Sequence, residues 1–208
     1  MADEIPRWLS WAREILALAQ TGYHYAVNDY QRERYRRLTA IAAEITASYT
    51  QLECEPIETL YLSQQGYATP RVDVRAAVFR DGKLLLVRER ADGGWTMPGG
   101  WADVGDRPAQ AAEREVWEEA GYRVRARKVI GVYDANRLAP LEIFHAFKIV
   151  FLCDLLDGSA RPSIETSEVR FFGADEIPEV LSGERTHLRH IRDAFAALID
   201  PDCPTVFD

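Results

Sequence analysis

Residues 98–121 read PGGWADVGDRPAQAAEREVWEEAG, a glycine-rich turn followed by an acid-bearing helix pattern. From about Arg107 to Ala120 the pattern is helical, with Ala109, Ala112, Val116 and Ala120 on one narrow apolar stripe. Glu115, Glu118 and Glu119 stand at i, i+3 and i+4 and share a second face about a quarter turn away. All three lie in the last turns before Gly121, where the helix dipole disfavours an anion by roughly 0.3–1 kcal/mol each. Taken alone, such a face is most simply solvated. Its crowding makes physical sense if a divalent cation sits among the acids, and an all-oxygen donor set selects a hard ion, Mg²⁺ or Mn²⁺. Gly99 and Gly100 just upstream let the backbone approach a ligand closely, and the Gly99 carbonyl adds a further hard oxygen.

In this register the segment resembles the signature of the Nudix hydrolases, G-x5-E-x7-R-E-U-x-E-E-x-G-U with U a bulky aliphatic residue. Gly100, Arg114, Glu115, Val116, Glu118, Glu119 and Gly121 match. Two positions depart: Asp106 stands for the first glutamate and Tyr122 for the last aliphatic residue. Asp106 also precedes Arg107 and Pro108, so a helix N-cap is open to it, and it ranks as a secondary candidate. The resemblance implies an α/β (α+β) fold, an α/β/α sandwich with a mixed sheet. It implies metal ligation by Gly99, Glu115, Glu118 and Glu119, with Arg114 orienting an acid rather than touching substrate. It also implies a general base that is either a signature glutamate or a distal loop acid, with Glu165 preferred and Glu168 second.

The flanks extend this reading. Val72, Val74, Ala76 and Val78 alternate with polar residues, Asp81 and Gly82 supply a type I′ turn, and residues 83–87 run back as a hairpin. Strand patterns follow over 123–133, 143–156 and 169–172, then a helix over 185–198. Upstream, residues 5–20 form an amphipathic helix with Gly22 just beyond its end. A second helix starts at a cap at Asn28 or Asp29 and carries Tyr30, Tyr35, Leu38, Ile41, Ala42 and Ile45 on one side. Residues 1–50 hold six acids and six arginines, so the net charge of −8 lies entirely beyond them. The expected organisation is a helical N-terminal domain over 1–52, a connector over 53–69 with a helical turn or two, and a catalytic domain over 70–208. Two helices enclose little core, so packing on the main domain or homodimerisation is expected. This helical pair resembles the extension of a Nudix subgroup that includes CDP-choline and ADP-ribose pyrophosphatases.

The 208 residues carry 33 acids against 25 bases, which argues against bulk phosphate neutralisation of nucleic acid. Arg32, Arg34, Arg36 and Arg37 are a local exception that could grip phosphate, although a solvated helix face is the simpler reading. Cys54, Cys153 and Cys203 form no disulfide framework, and no apolar run is long enough to span a membrane, so a cytoplasmic protein is expected. His187 and His190 read as packing residues rather than a metal half-site, and His145 as a hydrogen-bonded sheet residue. Trp101 and Tyr133 read as core aromatics, with base stacking as the alternative. No P-loop, zincin or serine-hydrolase motif is present. The expected activity is Mg²⁺-dependent cleavage of the pyrophosphate in a nucleoside diphosphate linked to X, with CDP-choline or ADP-ribose as substrate. RNA end trimming or decapping and a non-catalytic nucleotide sensor are the alternatives.

Overall fold

The computed structural model describes residues 6–137, 145–183 and 185–208. They form two compact units, one within residues 6–70 and the other within residues 71–137 and 146–208.

The first unit is helical: α1 (Arg7–His24), α2 (Asp29–Tyr49) and α3 (Cys54–Ser63). Asn28 caps α2, its side chain accepting the Gln31 amide. Helix α1 runs past the expected stop because Gly22 is a packing glycine. A Cβ there would lie 2.2 Å from the Tyr35 ring, so the residue's role is close approach of α2. The buried stripe of α2 is Thr39, Ala42, Ala43 and Thr46, one position on from the expected one, and Tyr30 is exposed. Two threonines can be buried because their hydroxyls donate to the carbonyls of Tyr35 and Ala42. The connector holds a full ten-residue helix, whose Ile57 and Tyr61 pack on Ala42 and Ala43.

The second unit is built on an eight-stranded mixed sheet: β1 (Arg71–Arg80), β2 (Lys83–Glu89), β3 (Trp95–Thr96), β4 (Gly99–Trp101), β5 (Tyr122–Asp134), β6 (Ala146–Gly158), β7 (Thr166–Phe172) and β8 (Val206–Phe207). The order β3-β2-β1-β6-β5-β8 is antiparallel except that β1 runs parallel to β6 and β5 to β8. Strand β4 pairs with β1, and β7 with β2. At the hairpin tip Asp81 (φ 51) and Gly82 (φ 75) take the two positive φ values of a type I′ turn. Two short strands lie in the glycine-rich stretch, and β8 is also absent from the sequence reading. The expected strand start at residues 143 and 144 and the helix start at residue 5 fall outside the described residues.

Helices cover both faces of this sheet. On one, α4 (Pro108–Ala120) seals a core with Val74, Ala76, Val78, Leu85 and Val87. On the other, α5 (Leu188–Ile199) packs on Ala77, Leu84, Leu86, Val150 and Leu152. The period-2 alternation of β1 and β2 assigns each residue to one of these layers. Among the described residues no helix is long and apolar enough to cross a membrane.

Candidate active site

Helix α4 brings Glu115, Glu118 and Glu119 to the level of β4 with quite different surroundings. Glu119 is only 6% exposed and belongs to the buried stripe with Ala112, Val116 and Ala120. The clean separation of acid and apolar faces expected from spacing therefore fails at this residue. Its Oε2 accepts the Gly99 amide at 2.9 Å, and burial pushes its carboxyl up to about 8 against the pull of Arg75 and that amide. Glu115 is also raised by burial, with Arg114 opposing. Glu118 is half exposed.

The Gly99 turn is built for glycine. Its φ is +145°, and a Cβ would stand 2.0 Å from the Val74 carbonyl oxygen. In the β1–β4 register Gly99 faces Arg75, Gly100 faces Val74 and Trp101 faces Asp73. Trp101 is largely exposed, against the expectation of a core residue, because it sits on the last position of a three-residue strand; the Arg71 guanidinium lies 5.8 Å from its ring.

Arg114 sits amid four carboxylates: Glu115 and Glu118 at 2.9 Å, Asp106 at 3.2 Å and Asp103 at 3.3 Å. Asp106 is thus a partner of Arg114 and does not cap α4, whose cap position is Arg107. Its place just before the helix aims the carboxylate back along the first turns to the guanidinium.

Of the distal acids, Glu165 is exposed in the loop before β7, where its carbonyl accepts the Arg90 amide at 2.8 Å. Its charge reaches Glu89, and that of Glu89 reaches Glu119. Glu168 pairs with Arg88 at 2.8 Å. Arg88 and Glu89 project to opposite faces of β2, so Glu168 lies away from the layer that holds Glu89.

Several residues of this neighbourhood escaped the sequence reading. Glu89 is buried and raised by that burial, with Arg185 3.5 Å away. It is in phase with Leu85 and Val87, so an acid at an inward position was the available signal. Beneath β4, Asp73 is enclosed between Arg75, which binds it through two nitrogens at 3.0 and 2.8 Å, and Lys148 at 2.7 Å. Burial pushes the Asp73 carboxyl up, but the two cations together hold it below the usual range. Burial draws Lys148 down to about 8 in spite of Asp73. Arg75 also donates to the Met97 carbonyl at 3.3 Å, which ties this ion group to the strand leading into Gly99.

His190 is a packing residue. His190 Nδ1 accepts the His187 amide at 3.1 Å, and the buried ring meets Tyr133 edge-on, with centroids 4.6 Å apart. Tyr133 is fully buried and its hydroxyl donates to Asp193 at 3.0 Å. His145 lies just before β6 and has a partner among its neighbours.

Among the described residues no three acid, histidine or cysteine side chains converge closely enough to hold an ion. The reason is visible in Arg114, which draws Glu115 and Glu118 to itself. The donor set nonetheless fits a hard cation. Every candidate ligand atom is oxygen, and Glu119 is a carboxyl group that burial raises and that Arg75 and the Gly99 amide offset only in part.

Comparison with known proteins agrees with this geometry. A NUDIX domain model matches residues 69–194, and a model described as the UDP-X-like, N-terminal oligomerisation domain of Nudix proteins matches residues 6–61. The chain is 37% identical over 203 residues to YjhB of Bacillus subtilis (strain 168), which its name provisionally assigns as an ADP-ribose pyrophosphatase; 97% of each chain is covered. A crystal structure of a UDP-X diphosphatase aligns with a TM-score of 0.62 at 29% identity, covering 97% of this chain and 98% of that one. An ADP-ribose pyrophosphatase from Streptococcus suis 89-1591 aligns with a TM-score of 0.62 at 36% identity, covering 67% of this chain and all of that one. With the domain model matched over more than half of its length and its own geometry in accord, the chain belongs to the Nudix hydrolase family and is a pyrophosphohydrolase.

Proposed function

We propose that the protein hydrolyses the pyrophosphate bond of a nucleoside diphosphate linked to X, with ADP-ribose or CDP-choline as substrate and Mg²⁺, or Mn²⁺ in its place, as cofactor. Nudix hydrolases generally use divalent metal ions. The observation that carries the reading is Glu119, a buried carboxylate fixed on the Gly99 amide beside Glu115 and Glu118. The names of YjhB and the Streptococcus suis relative support ADP-ribose first. CDP-choline rests on the resemblance of the N-terminal helices alone.

Glu115, Glu118, Glu119 and the Gly99 carbonyl are the residues that would hold the ion. Bound there, it supplies charge neutralisation of the diphosphate and activation of water. The chain's own residues do the rest. The Gly99 amide fixes one Glu119 oxygen and leaves the other free. Arg114 restrains Glu115 and Glu118 and limits their mutual repulsion before the ion arrives. Glu165, in the loop beside the end of β2, is the distal acid assigned to take the proton from the attacking water, with Glu115 as the signature alternative. Asp106 and Glu168 take supporting places, on Arg114 and Arg88. Water adds to one phosphorus, the bridging oxygen leaves with the other, and two phosphate monoesters result.

Residues 1–52 are read as the helical extension, joined by 53–69 to a catalytic domain over 70–208. A homodimer through the extension is supported by its exposed Trp11, Leu18 and Tyr30 and by the description of the matching domain model. Three free thiols accord with the cytoplasm.

The test is a panel of ADP-ribose, CDP-choline, UDP-sugars and a 5′-triphosphorylated RNA with Mg²⁺ or Mn²⁺, scored by product. AMP with ribose 5-phosphate supports the first assignment, and CMP with phosphocholine the second. Turnover of RNA alone, or of nothing in the panel, contradicts the proposal.

A further inference from the structure

The arginines at 32–37 find no task in the catalytic domain, and the fold separates them. Arg34 lies over Tyr30, its guanidinium 4.4 Å from the ring, and Arg37 pairs with Glu44 at 2.6 Å. Arg32 and Arg36, one helical turn apart, instead line a cavity of about 490 Å³ within the helical unit. Gln20, Tyr23 and His24 of α1 form a second wall, and Gln64 after α3 a third. This volume falls in the range of small-molecule sites, roughly 300–1,000 Å³.

The charge of this cavity is one-sided. Among the described residues no aspartate or glutamate lines it. Among the described residues Arg36 reaches the Tyr23 hydroxyl, at 2.8 Å, and stacks on that ring, and it pairs with no acid there. Arg32 is held by the Ala26 carbonyl at 3.2 Å and by Asp29, whose side chain is fully exposed and outside the cavity. Two guanidiniums one turn apart offer the forked donors that suit a phosphate group.

We propose that this cavity binds a phosphate monoester of nucleotide size, with Arg32 and Arg36 as the phosphate-recognising groups. The site is built within the helical unit and does not depend on which substrate the α4 carboxylates process.

Calorimetric titration of the full-length protein with AMP, inorganic phosphate and adenosine, in EDTA buffer without metal, tests it. AMP should bind, phosphate should compete with it, and adenosine should give no heat. The Arg32→Gln/Arg36→Gln double variant should weaken AMP by at least about tenfold. Gln64→Glu, which puts a negative charge on the cavity wall, should do likewise, and Glu118→Gln should bind AMP as the wild type does. Absence of AMP binding at about millimolar concentration overturns the site. So does unchanged affinity in the double variant and in Gln64→Glu, loss of binding in Glu118→Gln, or a short RNA that binds these arginines without competition from AMP.

Discussion

Glu119 accepts a hydrogen bond at 2.9 Å from the amide of Gly99, twenty residues earlier in the chain, and so locks the acid helix to the glycine turn. The two residues are conditions for each other. The helix needs a donor for a carboxylate it has buried, and the turn needs an acceptor for an amide that points away from its strand partner. Gly99 can present that amide because its φ of +145° is open to glycine and closed to other residues.

Gly99→Ala is therefore expected to fail at both. The added methyl meets the Val74 carbonyl, and the backbone conformation costs about 1–3 kcal/mol besides. Chemical denaturation should show a fall in stability of at least about that size, with hydrolysis lost as well. Wild-type stability in this variant would show that the turn tolerates a side chain.

The raised pKa of Glu119 ties stability to pH and to metal. The folded chain keeps a proton up to about 8 that the unfolded chain releases near the ordinary carboxylate range. The folded state thus binds more protons between those values, and metal-free stability falls as pH rises through that window. A bound cation keeps the carboxylate charged and removes the dependence. Thermal melts from about pH 6 to about pH 9 should diverge progressively between EDTA-treated and Mg²⁺-saturated protein. In Glu119→Gln the pH dependence of the metal-free melt should flatten.

Glu118 offers a cleaner probe of the chemistry, because it is half exposed and its contact in the chain is with Arg114. Glu118→Gln preserves the shape and removes the charge. Hydrolysis should fall by about 10²–10³, the scale of losing one group that acts in the transition state, while the melting temperature stays near wild type. A variant that retains full Mg²⁺-dependent turnover would remove Glu118 from the site.

The sequence made the α4 segment, the hairpin and the Asn28 cap legible because each is a local rule: spacing, turn chemistry, a capping side chain. What it hid was set by long-range partners. Glu119 counted as a face residue until the Gly99 amide, brought by the β1–β4 pairing, made its burial possible. Gly22 mimicked a helix stop, since its reason, the Tyr35 ring, belongs to the next helix. Asp73 and Arg75 passed for the solvent side of an alternating strand. Alternation gives the two faces of a strand but cannot tell that helices cover both.

That last pair leads to the most exacting test of the fold. Asp73 is the counter-ion of both Arg75 and Lys148, which are 3% and 2% exposed. Asp73→Asn removes the shared counter-ion of two buried cations, a change of the kind that costs about 3–5 kcal/mol. The sign of its pH dependence follows from Lys148. Burial already draws that amine to about 8, and loss of Asp73 lowers it further. The unfolded lysine titrates near its ordinary value, so the folded variant binds fewer protons over that interval and gains stability as pH rises. Urea midpoints should thus show the largest penalty at the low end of the range from about pH 6 to about pH 9 and a smaller one at the top. Adding Lys148→Met should recover part of the loss at neutral pH and leave a difference from wild type that no longer tracks the Lys148 amine. A penalty that is constant with pH would mean that Lys148 keeps its charge through a partner other than Asp73.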